Sequence, residues 1–156
     1  MVSTLGYILS EDAKSVLQVH RIGQADDQNH GKYSGVGGKL KRGEDVATCM
    51  MREIREETGL EVVTMKLRGT VCWADFGPEK QDWLAFIFLV TCFEGEPFPE
   101  NDEGPLKWVK IDKIYDLPMW KGDAHFLPLI FDSDPRPFYG FMRYEGEEPK
   151  DWKYVR

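Results

Sequence analysis

Three glutamates, Glu53, Glu56 and Glu57, stand at i, i+3 and i+4 near the end of a segment with helical periodicity. At about 100° per residue their side chains form one face, beside an apolar stripe that includes Met50 and Ile54. Carboxylates so placed repel one another, and the helix dipole disfavours negative charge in the last turn. Mg²⁺ or Mn²⁺, which prefer hard oxygen ligands, would relieve this repulsion. The pattern indicates a metal-binding face, with a plain charged helix face as the alternative.

Glycines and an acidic residue flank this helix, which the sequence predicts at about residues 45–58. Gly37 and Gly38 precede it and allow the backbone to come close to a ligand. Glu44 stands at the predicted helix entrance, where a carboxylate suits the dipole. Gly59 fits the left-handed position that ends many helices. The whole segment is therefore predicted to be a loop–helix–loop with a glycine at its end.

The segment resembles the Nudix box. The matching positions are Gly38, Glu44 and the run Arg52-Glu53-Ile54-Arg55-Glu56-Glu57-Thr58-Gly59-Leu60. The resemblance implies an α/β fold, a Nudix-type α/β/α sandwich with a mixed β-sheet and a loop–helix–loop catalytic motif. It also implies an enzyme that hydrolyses a nucleoside diphosphate linked to another group. We expect one such domain over residues 1–156.

The resemblance further assigns roles to the residues of the motif. It implies that Mg²⁺ or Mn²⁺ is bound chiefly by Glu53, Glu56 and Glu57, with the backbone carbonyl of Gly37 as a further ligand. The same resemblance makes four residues structural, and Arg52 is expected to pair with a loop carboxylate. These four are Gly38, Glu44, Arg52 and Gly59.

A fourth carboxylate, Glu103, lies in the acidic loop 100–103, which resembles the family segment that supplies a later acid to the metals. Metal ions lower the pKa of bound water, and a carboxylate then accepts its proton. Glu56 and Glu103 are both candidates for that base. The predicted catalytic set is Glu53, Glu56, Glu57 and Glu103, and a solvated loop charge is the alternative for Glu103.

Outside the motif, residues 31–39, 119–123 and 138–141 are similar to the branch that hydrolyses oxidised purine nucleoside triphosphates such as 8-oxo-dGTP. In that branch aromatic rings enclose the base and polar side chains recognise its edge. By position, the expected substrate-binding residues are Ser34, Gly38, Lys39, Trp73, Trp120 and Asp123.

Two positions depart from that branch. Mammalian members have Asn where this chain has Ser34, and two Asp residues where it has Gly122 and Asp123. Each assignment also has a structural alternative: Trp73 as a core strand residue, Trp120 as a packing residue and Asp123 as a helix cap.

The expected reaction is Mg²⁺-dependent hydrolysis of a nucleoside triphosphate to a nucleoside monophosphate and pyrophosphate. The alternatives are another Nudix substrate, such as ADP-ribose, a dinucleoside polyphosphate or a 5′-triphosphate RNA end, and a non-catalytic nucleotide-binding module. Modules of the last kind usually lose carboxylates of the motif, and here Glu53, Glu56 and Glu57 are all present.

The remaining sequence must form the scaffold for these residues. Apolar and alternating runs predict strands at 2–10, 15–20, 61–73, 82–94, 106–111 and 138–144. A second helix is predicted near residues 121–132, although it contains Pro128. Residues 22–34 and 95–105 are predicted loops, and the polar tail from Glu145 is expected to fray.

Composition limits the partners. The 156 residues are 42% hydrophobic, which suffices for a core, and the formal charge of −7 argues against a broad grip on duplex nucleic acid. No apolar run reaches the roughly 20 residues of a membrane helix. Cys49, Cys72 and Cys92 show no zinc or disulfide pattern, so we expect buried, reduced thiols in a cytoplasmic protein. The expected partner is a small nucleotide, bound by a monomer.

Overall fold

The computed structural model describes residues 1–156 as ten strands, two α-helices and a short 3₁₀ helix at Ile111–Asp116. The helices are α1 (Val46–Thr58) and α2 (Asp123–Phe131). The strands are β1 (Val2–Leu9), β2 (Ser15–His20), β3 (Tyr33–Ser34), β4 (Val36–Lys39), β5 (Glu61–Phe76), β6 (Gln81–Glu94), β7 (Glu100–Asn101), β8 (Gly104–Lys110), β9 (Phe138–Glu145) and β10 (Glu148–Val155).

All the strands belong to one mixed arrangement with the order β10-β9-β5-β6-β1-β2-β8-β7. The pairs β1–β6 and β5–β9 are parallel, and the other pairs are antiparallel. Strand β4 pairs with the first half of β1, beside the point where β1 meets β2. The glycines of the motif are thereby fixed to the centre of the sheet.

The central strands bury both faces, because successive side chains of a strand point to opposite sides. On β1, Tyr7 joins the apolar cluster that contains Phe126 of α2. Its neighbour Ile8 joins the other cluster, with Met50 and Ile54 of α1. A helix therefore packs on each face of the sheet, and the predicted α/β/α arrangement is confirmed.

Helix α1 begins and ends where the sequence predicts. Asp45 caps its start by accepting a hydrogen bond from the Thr48 amide at 2.8 Å. Gly59 ends it in the left-handed conformation, with φ 78°, and donates its N–H to the Arg55 carbonyl. Asp45 takes the capping position and the adjacent Glu44 side chain turns to Arg52, so the interaction of Glu44 with the helix dipole stays a prediction.

The second helix and the tail give one confirmation and one correction. Helix α2 tolerates Pro128, and the Asp132 amide still bonds to the Pro128 carbonyl. The tail does not fray, because β10 pairs antiparallel with β9. This edge strand has a register shift between Lys150 and Lys153, and Asp151 within it has a φ of 59°.

The thiols are only partly as expected. Cys49 is buried in α1, but Cys72 and Cys92 are exposed and none is in a disulfide. Both exposed cysteines lie on the long strands β5 and β6, where one side chain in two faces away from the core. None of the helices is long and apolar enough to cross a membrane.

Candidate active site

Arg52 is the centre of the charged face of α1. Its guanidinium forms a bidentate pair with Glu44 and also contacts Glu53 Oε1 at 2.9 Å and Glu56 Oε2 at 3.1 Å. The hydrogen bonds from Arg52 lower the pKa of Glu44 to about 2. The expected pairing of Arg52 with a loop carboxylate is therefore present, and it ties the loop before α1 to the helix.

A second acidic group lies at the end of α1, where Glu57 faces Glu103 from the loop before β8. Burial raises the pKa of Glu57 to about 8, and the charges of Glu103 and Glu53 add to the effect. Burial also raises the pKa of Glu103, although Arg21 lies 3.5 Å away. The charge of Arg21 does not offset the cost of ionising both carboxylates.

The loop that carries Glu103 is held by α1 on one side and by the loop between β2 and β3 on the other. The Asn101 side-chain amide donates to the Glu57 carbonyl at 3.0 Å, and the Glu103 carbonyl accepts from the Gly23 amide at 2.9 Å. In this arrangement no three acidic, histidine or cysteine side chains surround one point. Glu53 and Glu56 turn instead toward the Arg52 guanidinium.

Gly37 is required by close backbone packing in β4, and Gly38 lies against the carboxyl group of Glu53. A Cβ at Gly37 would overlap the Thr4 carbonyl group, and one at Gly38 would lie 2.5 Å from the carboxyl carbon of Glu53. Glycine at both positions lets the strand pass directly over Glu53. This contact brings the backbone before the helix to the acidic face.

A cleft of about 300 Å³ continues from these glycines. It contains all six predicted substrate-binding residues, together with Gly37 and Glu103. Its lining is Ser3, Thr4, Leu5, Arg21, Gln28, Asn29, Ser34, Gly35, Gly37, Gly38, Lys39, Trp73, Phe76, Trp83, Glu103, Trp120, Asp123 and Tyr144. A wider depression of about 500 Å³ beside the β1–β2 turn contains none of the predicted residues.

The two tryptophans differ in their surroundings. Trp120 is only 9% exposed: Lys32 Nζ lies 4.5 Å from its ring centre, and Phe76 and Tyr144 pack around it. Trp120 is thus both a cleft residue and a core residue. Trp73 is partly buried at the end of β5, and its indole N–H has no hydrogen-bond partner.

Asp123 is the first residue of α2, but its side chain does not cap the helix. Burial raises its pKa to about 7. The carboxyl group therefore changes between neutral and ionised forms near neutral pH. In the neutral form it can donate a hydrogen bond as well as accept one.

The loop between β2 and β3 contributes residues that the sequence did not indicate. Asp27 accepts hydrogen bonds from Arg21 at 2.7 Å and from the Asn29 side chain at 3.0 Å. Asn29 in turn accepts from the Trp120 indole N–H at 2.6 Å. Because Arg21 also pairs with Glu103, this network joins Trp120 to the acidic loop.

Phe76, Trp83 and Tyr144 also line the cleft and were not predicted. Tyr144 could have been found from the alternation along β9, where Phe138, Gly140, Met142 and Tyr144 are all buried. No such pattern marks Asn29, whose partner is 91 residues away.

Comparison with known proteins identifies the family of this chain. The model of the NUDIX domain matches residues 1–130. This chain belongs to the NUDIX family. An oxidized purine nucleoside triphosphate hydrolase from Danio rerio is 35% identical over 118 residues, which cover 76% of this chain and 73% of that protein. The uncharacterized Nudix hydrolase YvcI of Bacillus subtilis is 35% identical over 102 residues, or 64% of this chain and 65% of that protein.

Solved Nudix structures have a fold similar to that of this chain. A MutT protein from Bacillus halodurans has a TM-score of 0.83 and 28% identity, with 98% of this chain and 96% of that chain covered. By contrast, the chain spans only 34% of the length of the NAD-capped RNA hydrolase NudC of Pseudomonas aeruginosa, at 33% identity. Family and relatives together support a pyrophosphohydrolase enzyme.

Proposed function

We propose that this Nudix protein hydrolyses purine nucleoside triphosphates, including oxidised forms such as 8-oxo-dGTP, to nucleoside monophosphate and pyrophosphate. The observation that carries the proposal is the continuity of the cleft. Its lining combines aromatic rings and Asp123, which suit a purine, with Gly37, Gly38 and Glu103. The zebrafish relative, matched over 76% of this chain, supports the same substrate class.

The acidic residues fit a hard divalent cation. Burial and mutual repulsion destabilise the ionised form of Glu57, and carboxylate oxygens are the ligands that Mg²⁺ and Mn²⁺ prefer. We assign the cation to Glu53, Glu56, Glu57, Glu103 and the Gly37 carbonyl. When bound, such a cation neutralises phosphate oxygens and lowers the pKa of bound water.

The chain's own groups supply the rest of the chemistry. Glu56 is exposed and is assigned as the base that takes a proton from the attacking water, with Glu103 as the alternative. Lys39, whose ammonium lies 5.4 Å from the Trp83 ring centre at the cleft wall, is assigned to a phosphate oxygen. Asp123 and Ser34 are assigned to the base edge, between the rings of Trp73 and Trp120.

The proposal also includes the oligomeric state, the extent of the domain and the cellular location. The proposed state is a monomer, and its cleft of about 300 Å³ suits a small nucleotide. Strands β9 and β10 complete the same sheet as the motif, which supports one domain over residues 1–156. The three unbridged cysteines fit the reducing cytoplasm.

The test is a turnover panel with Mg²⁺, read as nucleotide products separated by chromatography and as phosphate released with and without added inorganic pyrophosphatase. The panel contains dGTP, 8-oxo-dGTP, 2-oxo-dATP, ordinary ribonucleoside triphosphates, ADP-ribose and a diadenosine polyphosphate. Preference for purine triphosphates, with phosphate appearing only when pyrophosphatase is present, is the expected result. Preference for ADP-ribose or the dinucleotide would contradict the assigned substrate, and silence across the panel would contradict turnover itself.

A further inference from the structure

Tyr144 places a buried hydroxyl group at the cleft without an acceptor for its proton. The residue is 2% exposed and lines the cleft, and the Gly122 backbone N–H is directed at its Oη, but no group accepts a hydrogen bond from the hydroxyl. Nearly all buried polar groups in proteins are hydrogen-bonded, because an unpaired group loses its hydrogen bonds to water without gaining new ones. Ser34 Oγ and Trp73 Nε1 are unpaired in the same cleft. Three such groups around one space indicate a ligand with a polar edge.

The hydroxyl is fixed beside Asp123 by the shape of its surroundings. A Cβ at Gly122 would overlap Tyr144 Oη and would lie 3.1 Å from Tyr144 Cζ. The hydroxyl therefore occupies the space that a side chain at position 122 would fill. Residue 122 has no side chain to compete with it, and the Tyr144 hydroxyl stands next to the start of α2.

Aromatic neighbours prevent the ring from turning away. The Trp120 ring meets the Tyr144 ring edge-on at 5.6 Å, and the Phe76 ring meets it at 5.1 Å. A hydroxyl held in this way is already oriented for its ligand, so binding requires no ordering of the side chain.

We propose that the Tyr144 hydroxyl is a specificity-determining group that hydrogen-bonds the purine base beside the Asp123 carboxyl group. The inference rests on the proposed function, since it names the recognition group for the substrate of that cleft. It assigns part of base recognition to a residue of β9. In the similar branch, by contrast, two Asp residues stand where this chain has Gly122 and Asp123.

The test compares Tyr144→Phe with the parent and with Tyr139→Phe, which makes the same change at an exposed position of the same strand. Affinity for 8-oxo-dGMP and dGMP is measured by calorimetry in EDTA, so that metal binding does not enter. We expect Tyr144→Phe to weaken binding of at least one purine by roughly tenfold. Tyr139→Phe should leave it unchanged.

Thermal unfolding separates recognition from a structural role. Removing a hydroxyl that donates no hydrogen bond should leave the unfolding temperature equal or higher, whereas removing a structural hydrogen bond would lower it. Purine analogues that each lack one polar atom complete the test, because the analogue without the partner atom should lose its sensitivity to Tyr144→Phe.

Unchanged affinity for every purine in Tyr144→Phe, or a loss of affinity matched by a loss of stability, would overturn the proposal. If the parent turns over purine triphosphates while Tyr144→Phe binds them normally, only the role of Tyr144 fails. If the parent neither binds nor hydrolyses purine nucleotides, the proposed function fails and this inference fails with it.

Discussion

Arg52 shows how single residues divide the acidic motif into two parts. Its guanidinium neutralises the outer carboxylates Glu44, Glu53 and Glu56, whereas Glu57 and Glu103 share only the more distant Arg21. The inner pair thus carries the largest electrostatic cost. A cation bound at Glu57 and Glu103 would offset that cost. When the cation dissociates, the ion pairs of Arg52 with the outer carboxylates would keep the helix folded.

Glu56→Gln tests the outer part. We expect the variant to fold normally, because Glu56 is exposed, and to lose about two orders of magnitude or more of turnover under Mg²⁺. Glu94→Gln, at an exposed position of β6, is the control and should keep full activity. Full activity in Glu56→Gln would mean that Glu56 has no part in the reaction.

Asp123→Asn tests the buried acid through stability. An unfolded aspartate has a pKa of about 4, whereas burial raises that of Asp123 to about 7 in the folded protein. Between these values the folded state keeps a proton that the unfolded state releases, so the free energy of unfolding falls as pH rises and levels off above the folded pKa.

The asparagine variant should lack this decline. The free energy of unfolding of the variant, relative to that of the parent, should grow between about pH 4 and pH 7, by at most about 4 kcal/mol. Chemical denaturation at several pH values measures the difference, with the exposed Asp116→Asn as control. A constant difference across this range would show that Asp123 is ionised throughout.

Among the elements, α1 depends on the conformation of its last position. Gly59 has φ 78°, and a Cβ there would lie 2.6 Å from the Phe98 ring. Gly43 has φ 85° with open space around it, so Gly43→Ala isolates the backbone strain, about 1–2 kcal/mol. We expect Gly59→Ala to lower the free energy of unfolding by more than Gly43→Ala in urea titrations. Equal losses would show that Phe98 moves aside freely.

The loop between β2 and β3 acts as an element through Asp27. Asp27→Ala removes the acceptor of both Arg21 and Asn29, and so loosens the side chains that contact Glu103 and Trp120. We expect a higher KM and a several-fold lower kcat in steady-state assays, because these cleft residues lose support. The exposed neighbour in Asp26→Ala is the control. If Asp27→Ala and Asp26→Ala had the same KM and kcat, the network would have no role in the reaction.

These elements also show what the sequence could predict. Helix α1 was predictable because Asp45, the apolar stripe and Gly59 are local signals. Strand β10 was not, because an edge strand with little burial lacks a clear alternation. Of the cleft, the motif glycines and Glu103 were predictable by resemblance. Asn29 was not, because its role arises from packing between distant segments.

At the scale of the molecule, β10 completes the core. Trp152 packs against the apolar cluster, stacks on His125 and covers Gly140. Trp152→Ala should lower the unfolding temperature by several degrees, the effect of roughly 1–3 kcal/mol in a chain of this size. The exposed Val155→Ala is the control in the same calorimetric scan. An unchanged unfolding temperature in Trp152→Ala would mean that β10 adds nothing to the core.

The bulge at Asp151 has a consequence for how copies of the protein behave in a crowded solution. An exposed sheet edge offers a row of free amides and carbonyls on which another chain can polymerise. Here that row is interrupted by Pro149, by the shifted register and by the charges of Lys150, Asp151 and Lys153. The last strand thus makes this border of the sheet a poor template for aggregation.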